Sequence, residues 1–178
     1  MTVAELSIDA RHPAAPGLCR VRVWPLPAAS AHCAERGART IVRDVLAAAG
    51  VRPGDVLETE SIVAELAVNA VQHAAPPYEL RIVFAGTVWP TWCEVADGGA
   101  DVDRIRWRPP GGGAATTATS AEAVPELAEG GRGLILVGGL SGGRWAAYRT
   151  TLCQNNAVGK AVGFALPGAG RDGCEERP

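Results

Sequence analysis

Two runs of alternating residues, YELRIVFAG (Tyr78 to Gly86) and VWPTWCEVADG (Val88 to Gly98), meet around Gly86-Thr87. No other feature limits the fold as much. Alternation on both sides of a glycine reads as a β-hairpin, whose strands run antiparallel. A second pair of strands, RWAAYRTTLC and GKAVGFAL, lies toward the C-terminal end. An earlier strand, CRVRVWPLP (Cys19 to Pro27), is ended by prolines that cannot donate to a ladder. The strands therefore predict a mixed, mostly antiparallel sheet.

Helical periodicity fills the gaps between strands. SAHCAERGARTIVRDVLAAAG (Ser30 to Gly50) places Ile41, Val42, Val45 and Leu46 on one side and Arg36, Arg39 and Arg43 on another, where arginines are expected to be solvated. Ser30 suits the N-cap and Gly50 the C′ position. After a turn at VRPGD, a second helix is expected from about Glu58 to Ala74, stopping before Pro76-Pro77. A third, short and apolar, follows the glycines of GRGLILVGGLSGG. Strand, helix, helix, two strands, short helix and two strands predict an α/β two-layer sandwich with the helices on one face of the sheet.

With 178 residues, 47% of them hydrophobic, the chain can bury one core and is short for two. One domain is expected over residues 18–166, between a flexible N-terminal segment, 1–17, and a disordered tail, 167–178. A net charge of −2 leaves no basic footprint for nucleic acid. The five cysteines are scattered, with no C-x-x-C pair, and suggest neither a zinc site nor a disulfide framework. Reduced thiols, no signal-peptide pattern and no apolar run near the roughly 20 residues of a membrane span fit a cytoplasmic, soluble protein without membrane contact.

Residues 98–130 carry almost no large apolar side chain to bury. So long a loop inside a domain is usually a lid, a binding loop or a disordered insert. Chemistry-bearing residues stand on either side of it. In AELAVNAVQHAA, Glu65, Asn69 and His73 recur every fourth residue, so Glu65 and Asn69 share a helix face one turn apart. Such a stripe is either a polar outer face or the wall of a cleft. As a wall, a carboxamide oxygen beside a carboxylate suits a hard cation and a proton acceptor. The apolar residues Ile62, Leu66 and Ala70 opposite favour the cleft. Asp97 ends a strand at the glycine-rich DGGAD, as a ligand-binding or an ordinary turn aspartate, and Gly99 allows close backbone approach. EGGRGL offers backbone N–H groups at a helix start, suited to phosphate. Walker and dinucleotide motifs are absent, Leu136 standing at the third glycine of G-x-G-x-x-G.

Taken in order, SIVAELAVNAVQHA, VADGGAD, EGGRGLILVGGLSGGRW and GKAVGFAL resemble the GHKL superfamily of Bergerat-fold ATP-binding domains, and within it the anti-sigma-factor serine/threonine kinases. The resemblance covers roughly Arg20 to Leu166. It implies an ATP and Mg²⁺ site under an ATP lid over about 98–130. Asn69 would coordinate Mg²⁺ and Glu65 would be the general base. Asp97 would accept from the adenine amino group, and Gly99, Gly131, Arg132 and Gly133 would shape the cofactor pocket. The implied partners are a sigma factor and an anti-sigma antagonist protein that is phosphorylated, with a homodimer possible. A binding module that sequesters its partner without phosphotransfer is the alternative. His73 matches a common family residue and reads as helix-end structure. Asp101, at a usual glycine of D-x-G-x-G, and Gln72, at an often basic position, depart from the pattern.

Overall fold

The computed structural model describes residues 4–7, 19–85, 89–99 and 132–167, with backbone alone for 4–7, 19, 85, 132, 133 and 135. In chain order the elements are β1 (Ala4–Ser7), β2 (Cys19–Leu26), α1 (Ala31–Ala48), α2 (Pro53–His73), β3 (Tyr78–Ala85), β4 (Pro90–Asp97), α3 (Arg132–Leu140), β5 (Trp145–Thr151) and β6 (Val158–Ala165). The strands form one sheet in the order β1-β2-β3-β4-β6-β5. Every pairing among the described strands is antiparallel, in keeping with the mostly antiparallel sheet expected. The edge strand β1 pairs with β2 from within the segment expected to be flexible. No helix among the described residues is long and apolar enough to cross a membrane.

The helices form where the periodicity places them, with two shifts. Ser30 caps α1, its side chain accepting from Cys33 N at 3.1 Å, and Gly50 follows the helix with φ 77°. The fully buried line of α1 is Ala34, Ala38, Val42 and Leu46, while Ile41 and Val45 are only partly covered. Two alanines on that line let α1 lie close against α2, which moves the seam off the larger side chains. Helix α2 begins at Pro53, five residues before the expected start at Glu58. Proline at N1 loses no helical hydrogen bond, and Asp55 in the first turn favours the positive end of the helix dipole, so the apparent turn VRPGD is a helix start. Arg43 of α1 is exposed, as expected for that face, and also makes two hydrogen bonds of 2.8 and 2.7 Å to the buried carboxylate of Glu60 on α2.

Alternation assigns the two faces of the sheet. Leu80 and Ile82 of β3, Cys93 and Val95 of β4, and Val162 and Phe164 of β6 share one core with α1 and α2. The next residues along each strand face the other way. Among them are Glu79, Arg81 and Glu94, which are nonetheless buried. The end of β5 and the turn after it fold across this second face: Arg81 donates to Thr150 Oγ1 at 2.9 Å and to the Thr151 carbonyl at 2.8 Å, and Gln154 N donates to Glu79 Oε1 at 2.8 Å. Leu152, in the same turn, packs on Ala96 and Ala161. The end of β5 and its turn thus cover the part of this face around Glu79 and Arg81.

Candidate functional site

The site is built where β4 ends beneath the end of α2. Asp97 is the last residue of β4 and keeps step with Cys93 and Val95, so its side chain emerges on the helix-bearing face. It is 3% exposed. The chain then passes so close to the end of α2 that side chains do not fit. Gly98 N donates to the Ala75 carbonyl at 2.7 Å, and a Cβ on Gly98 would stand 2.7 Å from the Pro76 carbonyl oxygen. A Cβ on Gly99 would lie 2.6 Å from Lys160 Nζ and 3.3 Å from Ala74 Cβ. Gly98 is thus required by close approach to backbone, Gly99 leaves room for the Lys160 and Asp97 side-chain ends, and together they join the strand end to the residues that terminate α2.

Asp97 is held by two donors on one oxygen. Gly99 N donates to Oδ1 at 2.8 Å, and Lys160 Nζ, from the paired position on β6, donates to the same oxygen at 2.6 Å. Burial pushes the Asp97 carboxyl above its ordinary pKa, and the Lys160 ammonium and the Gly99 N–H oppose that shift. Nearby, Tyr78 at the start of β3 donates its hydroxyl to the Ala74 carbonyl at 3.2 Å.

Glu65 and Asn69 lie on α2, both half-buried, with Asn69 one turn before the last helical residue, His73, or about 6 Å along the axis. Neither side chain has a hydrogen bond or ion pair with another described residue. His73 and Gln72 are exposed. Because the end of α2 is tied to Gly98 and Gly99, the Glu65–Asn69 stripe and the Asp97 carboxylate belong to one region.

Helix α3 starts at Arg132, with Gly133 in its first turn, and packs against α2 through Val137, which is fully buried in the main core. Residues 100–131, which include Asp101, Gly131 and all of the expected lid (about 98–130) beyond Gly99, lie outside the described residues, as does the side chain of Arg132. Asp97 and Gly99 are therefore in direct contact, Glu65 and Asn69 are one turn apart on the adjoining helix, and α3 abuts that helix.

Lys160 was missed in the sequence, and two signals could have found it. It is the only lysine in the chain. In GKAVGFAL it also falls in phase with Val162 and Phe164, which point into the core, so a charged residue occupies an inward position of a strand. An inward lysine needs a nearby acid, and Asp97 is opposite it in register.

Residues 26–143 match the family described as histidine kinase-like ATPase domain, a span of about two thirds of the chain. No curated protein matches it. The matched span runs from the end of β2 through α3 and contains Glu65, Asn69, Asp97 and the glycines around them. The chain belongs to the histidine kinase-like ATPase domain family.

Proposed function

We propose that this chain binds ATP with Mg²⁺ between α2, α3 and the end of β4, and that it transfers the γ-phosphate to a Ser or Thr of an anti-sigma antagonist, binding a sigma factor when unopposed. The observation that carries the ATP reading is the buried Asp97 carboxylate, fixed by Gly99 and Lys160 at a strand end on the helical face of the sheet. A buried carboxylate, one oxygen of which accepts from no described residue, suits a ligand that offers a hydrogen-bond donor, as the adenine amino group does.

The remaining roles follow from chemistry. Asn69 would hold Mg²⁺ through its carboxamide oxygen. Among the described residues no group of three His, Cys, Asp or Glu side chains could hold a metal ion. A single protein oxygen fits Mg²⁺ nonetheless, because that ion keeps several waters and binds through one or two side chains plus substrate phosphates. Bound there, Mg²⁺ would neutralise charge on the phosphates. The first turn of α3, with Arg132 and Gly133, would offer backbone N–H groups and the positive end of a helix dipole to the phosphate chain, and Gly131 precedes it in sequence. Glu65 would accept the proton of the attacking hydroxyl, and in such a transfer most of the rate comes from positioning.

The test is a calorimetric titration of the purified protein with ATP, with and without Mg²⁺, followed by incubation with γ-labelled ATP and candidate antagonists. Saturable Mg²⁺-dependent binding and label on a Ser or Thr of an antagonist are expected. Failure to bind ATP defeats the whole reading. ATP-dependent capture of a sigma factor with no antagonist ever labelled would leave a binding module without phosphotransfer.

A further inference from the structure

The proposed base site holds a second charged group that the family label does not assign. Lys160 Nζ lies 2.6 Å from Asp97 Oδ1, and the two side chains are 11% and 5% exposed. An ammonium carries three N–H bonds, and among the described residues one is used, by Asp97, which leaves two. Asp97 Oδ1 takes both of its donors, Gly99 N and Lys160 Nζ, while Oδ2 takes none among the described residues. Among the described residues the pair therefore presents an unused acceptor beside an unused donor, on neighbouring strands in register. Nζ also lies directly under Gly99, where a Cβ would collide with it, so the ammonium forms part of the surface that the glycine exposes.

We propose that Lys160 reads the base together with Asp97: the ammonium donates to the purine N1 while the carboxylate accepts from the adjacent 6-amino group. The adenine edge offers a donor, the amino group, next to an acceptor, N1, and this is the complement of an acceptor next to a donor. The inference rests on the ATP reading above and extends it to a residue that sets specificity. A lysine in this place also disfavours a base that carries a proton on N1, since two donors would then face each other.

The experiment compares ATP with 1-deaza-ATP, in which N1 is replaced by C–H and the 6-amino group is kept. Wild type should bind 1-deaza-ATP roughly ten-fold or more weakly than ATP, since one charge-assisted hydrogen bond is lost and a charged donor is left unpaired. Lys160→Met should bind the two nucleotides equally, and both more weakly than wild type binds ATP. The comparison in wild type stands whether or not Lys160→Met folds. Equal affinity of wild type for ATP and 1-deaza-ATP would overturn the role of Lys160 and leave the ATP reading intact. GTP bound as tightly as ATP would also overturn it, because the ammonium would then be reading a carbonyl at position 6. Absence of any ATP binding would remove both.

Discussion

Arg81 and Glu79 point to the same face of β3 and close a buried ion pair, with Nη2 at 2.6 Å and Nε at 3.0 Å from Glu79 Oε2. Arg81 also reaches Glu94 across the strand pair at 3.4 Å, and Tyr148 OH and Trp92 Nε1 both donate to Glu94. One guanidinium thus compensates two carboxylates that are almost fully covered. Arg81→Met would remove the compensation while keeping much of the side-chain volume. Breaking a buried pair by deleting one partner typically costs about 3–5 kcal/mol, because the remaining charge stays buried. The expected outcome is a matching fall in unfolding free energy by chemical denaturation. A denaturation midpoint at the wild-type value would show that the cluster contributes nothing to stability.

That cluster marks where the sequence stops being legible. The alternation of β3 and β4 gives the hairpin, because a two-residue period needs only local order, but not its register, which shifts between Val83 and Phe84. It also assigns Glu79, Arg81 and Glu94 to the far face, where polar residues read as solvated. Their burial depends on the turn after β5 reaching back to β3 over about 70 residues of sequence, as in the Arg81–Thr150 and Gln154–Glu79 hydrogen bonds. Period carries no information about such a contact. The same limit applies at the site. Glu65, Asn69, Asp97 and Gly99 stand out through spacing and local glycine chemistry, whereas Lys160 stands out only as a lone, inward-phased lysine whose partner is given by the pairing of β6 with β4.

Asp97→Asn tests the carboxylate as a base contact. The change keeps the shape and the acceptor for Gly99 N–H but replaces an acceptor oxygen by a donor amide, which would face the amino group of adenine. Mismatched pairing of that kind costs about 1–3 kcal/mol. ATP affinity by calorimetry should therefore fall roughly ten-fold or more. An unchanged affinity would exclude Asp97 from the base site.

The protonation of Asp97 gives ATP binding a pH dependence of known sign. The carboxylate accepts from an amino group more strongly than the protonated acid, which gains an O–H donor, so binding weakens as pH falls through the folded pKa. Burial raises that pKa above the ordinary 3.8, so the loss should begin at a higher pH than for an exposed aspartate. The groups that face the carboxylate are Lys160 on β6 and the Gly99 N–H, which favour its charged form, and Tyr78 on β3, whose hydroxyl is itself raised by burial and by Asp97. For stability the sign is opposite. A carboxyl with a raised folded pKa stabilises the fold most below its unfolded value, and that contribution fades as pH rises through the folded one. The check is ATP affinity against pH for wild type and Asp97→Asn. The wild-type curve should show an acid limb that the variant lacks, whereas titration of ATP itself affects both alike. Identical curves would assign the acid limb to ATP or to another group.

Glu65 and Asn69, one turn apart on α2, separate catalysis from binding. If Glu65 accepts the proton of the attacking hydroxyl, Glu65→Gln should keep Mg-ATP affinity within a few-fold, because the amide is isosteric and neither the base contact nor the cation ligand is altered. Phosphotransfer to an acceptor should fall by about 10²–10⁴, the usual contribution of a positioned base. Asn69→Ala should behave otherwise. Loss of the carboxamide oxygen removes the protein's hold on a cation that also binds phosphate, so the Mg²⁺-dependent part of ATP affinity should decline together with turnover. Both variants are measured by calorimetry with and without Mg²⁺, and by label transfer to an acceptor that wild type phosphorylates. Full transfer by Glu65→Gln would remove the general-base role. Unaltered Mg²⁺ dependence in Asn69→Ala would move the cation to other ligands, and the half-buried stripe on α2 would then be a wall of the cleft without a part in its chemistry.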